Sequence, residues 1–173
     1  MNVVGFAREP KFILVCAAGQ YHCSSASESG ESTGERGLAS TRAAYRQENV
    51  EAEVLPFIED MAETYAWADL AVCRAGAMTV AELQAAGLGA IFVPLPIATD
   101  DHQTKNAAVM VGVGAARIIQ ERDLTPEALS ALIAGLIKDR AALLKMAEAA
   151  RAARITDAAT RLADLCMAAG APA

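Results

Sequence analysis

"ADLAVCRAGAMTVAELQAAGLGAIFVP" runs from Ala68 to Pro94. Leu70–Cys73 is a short apolar run of the kind that forms a buried strand. Arg74-Ala75-Gly76-Ala77 follow, and a helical pattern begins at Thr79 and stops at Gly87. Ala90–Val93 is a second apolar run, closed by Pro94. Strand, short loop, helix and strand within so few residues form one βαβ unit, so the sheet is expected to be parallel. In such sheets ligands gather beyond the carboxyl ends of the strands, which places residues 74–78 at a ligand site.

The neighbouring segments extend the pattern in both directions. Upstream, Phe12–Ala17 and Glu51–Pro56 are strand candidates, and Leu38–Glu48 has helical composition. Asp60 can cap a helix over Met61–Trp67. Downstream, Gln103–Val111 reads as a helix followed by Gly112 and Gly114, and Ala115–Gln120 as a strand. Thr125-Pro126-Glu127 joins a hydroxyl cap to a proline at the first helical position. Helices are expected from there to about Met167, with breaks near Asp139 and near Thr156-Asp157. The fold class is α/β: a Rossmann-like parallel sheet with flanking helices and a helical C-terminal tail. Residues 19–37, rich in Ser, Gly and Glu, have little to bury and read as a mobile loop.

The chain has 173 residues, enough for one domain with its own core, and 54% of them are hydrophobic. A formal charge of −6 argues against a nucleic-acid groove. Cys16, Cys23, Cys73 and Cys166 show no metal-binding spacing and read as reduced thiols of a cytoplasmic protein. No apolar run reaches the roughly 18 residues that a transmembrane helix needs. Charge and apolar residues near the N-terminus are not arranged as in a signal peptide.

Three rim segments carry the candidate chemistry. In the first, Gly76 allows a tight turn and close approach to a ligand. The next helix would present free N–H groups and the positive end of its dipole to an anion. Arg74 could add a bidentate contact, in a direction that sequence does not give. Thr79 and Glu82 also match a capping box, a purely structural account of both residues. The second segment, "PLPIATDDHQTKNA" (Pro94–Ala107), is either a polar helix entry on the same rim or a solvated loop with an Asp cap. His102 within it invites a general-base role, but no partner orients it, and a surface residue serves equally well. No metal site is expected. In the third segment, Phe57-Ile58, an apolar side chain either packs on a flat ring or joins the core.

Together these segments resemble the MurG family of bacterial glycosyltransferases. The matching text is "FIEDMAETYAWADLAVCRAGAMTVAELQAAGLGAIFVPLPIATDDHQTKNA", then "GAARII", "LTPEAL" and "ITDAATRLADL", over about Thr33–Met167. The family transfers N-acetylglucosamine from its uridine diphosphate (UDP) ester to a lipid-linked peptidoglycan precursor. Its GT-B fold has two Rossmann-like domains facing a cleft, and this chain resembles the C-terminal, donor-binding one. The resemblance implies that Ile58 meets the uracil region and that Ala77, Met78, Thr79, Val80, Ala81 and Glu82 line the nucleotide, with Glu82 on the ribose hydroxyls. Gln103 falls at the sugar, with Asn106 beside it, while Arg74 and Gly76 belong to the diphosphate loop. It implies UDP-N-acetylglucosamine as ligand and no cofactor. It also implies a cytoplasmic protein, with a peripheral place at the inner face of the plasma membrane open to it.

The sequence also departs from the family. After "FILVC" it reads "AAGQYHCSSASESGEST" where the family has a glycine-rich loop, and a helix and a strand are missing there. The expected division is an unmatched, partly disordered segment at 1–32 and a nucleotide-sugar-binding domain at 33–173. Nothing corresponds to the acceptor domain, which is expected to supply the catalytic base, so no catalytic residue is assigned. The lipid-linked acceptor would be reached only through such a domain or a partner chain. Two readings follow: the donor half of a transferase, or a truncated or rearranged relic without catalysis. A sugar-phosphate isomerase or another α/β binding domain sharing only the sheet edge fits poorly with the run through Asn106.

Overall fold

The computed structural model describes residues 2–4, 12–15, 38–47, 53–55, 57–96 and 101–169. The strands are β1 (Asn2–Val4), β2 (Phe12–Val15), β3 (Glu53–Leu55), β4 (Leu70–Cys73), β5 (Ala90–Phe92) and β6 (Ala116–Ile118). The helices are α1 (Leu38–Gln47), α2 (Met61–Trp67), α3 (Ala77–Ala86), α4 (His102–Gly112), α5 (Pro126–Ile137), α6 (Arg140–Ala152) and α7 (Ala158–Ala169). The loop expected at 19–37, and Cys16 and Cys23, lie outside the described residues.

The sheet order is β3-β1-β2-β4-β5-β6. From β2 to β6 the strands are parallel, as the alternation of strands and helices requires. The sheet also holds one strand that the sequence reading did not include. β1 lies between β3 and β2 and pairs antiparallel with both. Asn2-Val3-Val4 is too short to show a period, and no sequence signal marks this strand. It fills the place between β2 and β3 that an all-parallel doubly wound sheet gives to a parallel strand.

Side-chain alternation then divides the core into two layers. Ala71, Cys73, Ala90 and Phe92 face α2, α3 and α4, where they meet Tyr65, Val80, Leu83, Ala107 and Met110. Leu70, Val72, Ile91 and Val93 face Leu136 of α5 and Leu143 and Met146 of α6. Both faces of the parallel strands are thus covered, which explains why they read as unbroken apolar runs. α7 remains exposed along its whole length.

The helix ends follow the expected signals. Asp60 and Thr125 accept hydrogen bonds from the backbone N–H of Glu63 and Ala128, and Asp139, where only a break was expected, caps α6 by accepting from Ala142 N–H. Gly87 closes α3 at φ 71°, its N–H donating to Gln84 O while Leu88 N–H donates to Leu83 O at 3.0 Å. The two leucines are buried in the same cluster, completing the apolar contact typical of this closure. Gly114, at φ 79°, closes α4 in the same way.

Two glycine substitutions test this account in opposite directions. At Gly87 an added Cβ would adopt a strained φ and meet Arg151 Cβ at 3.2 Å. Gly87→Ala is therefore expected to cost about 1 kcal/mol. Gly135 sits inside α5 with open space around it, and Gly135→Ala should add about 0.5–1 kcal/mol. Urea midpoints at unchanged slope measure both.

Candidate functional site

Register fixes the rim. Val15 pairs with Cys73, Cys73 with Phe92, and Phe92 with Ile118, so the carboxyl ends of four strands finish level. The ladder continues beyond the strands: Val93 N–H donates to Cys73 O at 2.9 Å and Ile119 N–H to Phe92 O at 3.0 Å. The loops after β4, β5 and β6 therefore emerge side by side.

Arg74 ties those three loops together. Its Nη1 donates to the carbonyls of Val93 and Pro94, both at 2.9 Å, and lies 3.0 Å from Glu121 Oε2 in the short 3-10 turn after β6. The Arg74 side chain is only 7% exposed. Its direction, which sequence left open, is inward: it braces the rim and does not reach out over it. From the other side, α4 grips the same loops. Asn106 Nδ2 donates to Ala75 O at 3.1 Å, and Gln103 Oε1 accepts from Leu95 N–H at 3.0 Å. That bond fixes the orientation of the Gln103 amide, whose Nε2 donates no hydrogen bond among the described residues.

Between these braces α3 begins. Gly76 is its N-cap and Val80 N–H donates to Gly76 O at 2.9 Å, so the N–H groups of Ala77, Met78 and Thr79 precede the first intrahelical bond. No side chain caps this end. The capping box expected of Thr79 and Glu82 does not form, because the helix starts two residues earlier and Thr79 lies within its first turn. The turn conformation expected of Gly76 is not there either. Its φ is −64° and ψ 147°, values open to any residue, and an added Cβ would meet only Thr79 Oγ1 at 3.6 Å. What glycine contributes here is clearance above the amides.

Ala77, Met78, Ala81 and Glu82 are exposed, Met78 by 75%, whereas Val80 is buried in the core beneath them. Val80 thus supports this surface from below. At the loop after β3 the aromatic and aliphatic residues divide: Phe57 is 73% exposed and Ile58 only 6%. Ile58 packs as core, and Phe57 offers the flat ring. The alternation of two adjacent apolar residues made one of them outward, but sequence did not say which. Asp101 caps α4 without a side-chain bond, at φ 52°, and His102 beside it is exposed.

Tyr65 is a residue that the sequence reading passed over. From α2 its hydroxyl donates to Glu82 Oε2 at 3.1 Å. Burial, reinforced by the Glu82 carboxylate, holds the phenol well above its ordinary pKa, so it stays protonated as a donor. The one available signal was the i, i+4 spacing of Met61 and Tyr65, which marks the inward face of α2. The whole arrangement offers an anion a row of uncapped amides and an exposed carboxylate one turn along the helix, with an exposed aromatic ring on the loop after β3.

Comparison with known proteins gives consistent results. The model of the Glycosyltransferase family 28 C-terminal domain matches residues 23–162. The UDP-N-acetylglucosamine--N-acetylmuramyl-(pentapeptide) pyrophosphoryl-undecaprenol N-acetylglucosamine transferase of Marinobacter nauticus is 52% identical over 134 residues, 78% of this chain and 37% of its own. The protein of the same name from Aeromonas hydrophila is 57% identical over 123 residues, 71% of this chain and 34% of its own. Among solved structures, Acinetobacter baumannii MurG superposes with a TM-score of 0.72 at 47% identity, over 76% of this chain and 40% of that one. The chain spans little more than a third of the length of the curated relatives it matches.

The brace predicts a stability effect at Arg74. Arg74→Met keeps much of the volume but leaves two carbonyls and Glu121 without their guanidinium. A loss of about 2–3 kcal/mol is expected in urea denaturation. A loss below about 0.5 kcal/mol, within the range of an ordinary surface substitution, would contradict the brace.

Proposed function

The chain belongs to the family of the Glycosyltransferase family 28 C-terminal domain, and we propose that it binds UDP-N-acetylglucosamine as the donor half of a MurG-like transferase of peptidoglycan synthesis. The observation that carries this reading is the uncapped start of α3, set over level strand ends, with Glu82 exposed one turn along. The diphosphate would lie on the N–H groups of Ala77, Met78 and Thr79, above Gly76. Glu82 would accept from the two vicinal ribose hydroxyls. Phe57 and the backbone at Ile58 would meet the uracil, while Met78 and Ala81 flank the nucleotide over the support of Val80. Gln103 Nε2 would reach the sugar, with Asn106 and Arg74 holding the loops in place.

The reaction would be a displacement at the anomeric carbon. The acceptor hydroxyl attacks, the bond to the diphosphate oxygen breaks, and negative charge gathers on the departing UDP. Helix-end amides stabilise that charge in a fixed geometry without reorganising. This chain's share is donor binding and leaving-group stabilisation. The lipid-linked acceptor and the base that takes its proton belong to an acceptor domain or partner chain. No helix among the described residues is long and apolar enough to cross a membrane. The proposed place is the cytoplasm, peripheral to the inner face of the plasma membrane.

A second reading, a rearranged relic that does not bind the donor, draws on β1. An antiparallel strand in that place is a departure from the parallel order of doubly wound sheets. Calorimetry separates the two. The wild type is expected to bind UDP-N-acetylglucosamine, and Glu82→Ala should weaken it about tenfold or more, the loss of charged hydrogen bonds worth ~1.5–3 kcal/mol. Gly76→Val should also weaken binding, and by more than Asp101→Ala, because the fold has room for the side chain and the ligand does not. No binding by the wild type would favour the relic; equal effects at positions 76 and 101 would mean that the ligand lies elsewhere.

A further inference from the structure

Glu82 is exposed, and an exposed glutamate loses rotamer freedom when it grips a ligand. Tyr65 removes part of that freedom beforehand. Its ring is buried among Val80, Leu83 and Cys73 in the main core cluster, so the hydroxyl is held by packing. It reaches the carboxylate at Oε2 from the neighbouring helix, at 3.1 Å. Position 82 is five residues beyond the start of α3, about 7 Å along its axis. That places the carboxylate beside the part of a nucleotide that follows its phosphates. A carboxylate has about four acceptor positions, so one bond to Tyr65 leaves Oε1 and further lone pairs for two hydroxyls.

We infer that Tyr65 is a positioning residue: through its hydrogen bond it sets the Glu82 carboxylate to accept from vicinal ribose hydroxyls, and so favours ribonucleoside over deoxyribonucleoside diphosphates. This rests on the donor-site reading above and adds to it a residue and a selectivity. Tyr65 does not touch the ligand. It acts by presenting Glu82 in one geometry, and its protonated hydroxyl can only donate to the carboxylate.

The test is Tyr65→Phe in the full chain, which removes one oxygen and keeps the buried ring. Affinities are measured by calorimetry for UDP and for 2′,3′-dideoxyuridine 5′-diphosphate, which has the same base and phosphates but no ribose hydroxyls. Tyr65→Phe is expected to weaken UDP about fivefold, as part of the rotamer freedom of Glu82 returns to the free protein, and to leave the dideoxy compound unchanged. In a Glu82→Ala background the same substitution should have no further effect on UDP. If Tyr65→Phe weakens both ligands equally, or neither, the positioning role is refuted while the donor site stands. If the wild type binds neither compound, the donor-site reading fails and this inference fails with it.

Discussion

The hydrogen-bond ladder between β4 and β5 runs one residue past the strands, and Arg74 locks it there. Val93 N–H on Cys73 O holds the loops together at their bases, and the guanidinium holds them again where Val93, Pro94 and Glu121 converge. This fixes where α3 can begin. Because the chain leaves β4 into a braced loop, the first turn of α3 is presented at a set height above the sheet with its amides uncapped. A cation placed inside the rim, with its hydrogen bonds made to the protein's own carbonyls and carboxylate, gives rigidity. In the proposed donor site, affinity for an anion would fall to backbone N–H groups, which need no rearrangement to bind it.

Much of the architecture was legible because its signals are local. Asp60, Thr125 and Asp139 are caps that work through hydrogen bonds three residues away, and Gly87 and Gly114 mark helix ends through a backbone conformation that favours glycine. The unbroken apolar runs at β4 and β5 announce strands buried on both faces. β1 was not legible. Three residues show no period, and one of their two partner strands, β3, lies some fifty residues along the chain.

The rim was readable in position and less so in the direction of its side chains. Residues 74–82 were placed on the rim by the strand–loop–helix order alone. What each side chain does there depends on tertiary contacts. Thr79-Val80-Ala81-Glu82 imitates a capping box, yet the braced loop lets α3 start at Ala77, which turns Glu82 from a cap into an exposed acid held by Tyr65. Arg74 points inward because two buried carbonyls require donors. Phe57 and Ile58 exchange the roles that sequence allowed to either. Each of these is decided by a partner distant in sequence, which no window on the chain contains.

The amides at the start of α3 are the surface proposed to meet the nucleotide's phosphates. Backbone amide resonances of the ¹⁵N-labelled protein, followed during titration with UDP, test this directly. Saturable shifts should be largest at Ala77, Met78 and Thr79, and negligible in α5, which packs on the opposite face of the sheet. Saturable shifts elsewhere with the three amides unmoved would contradict it.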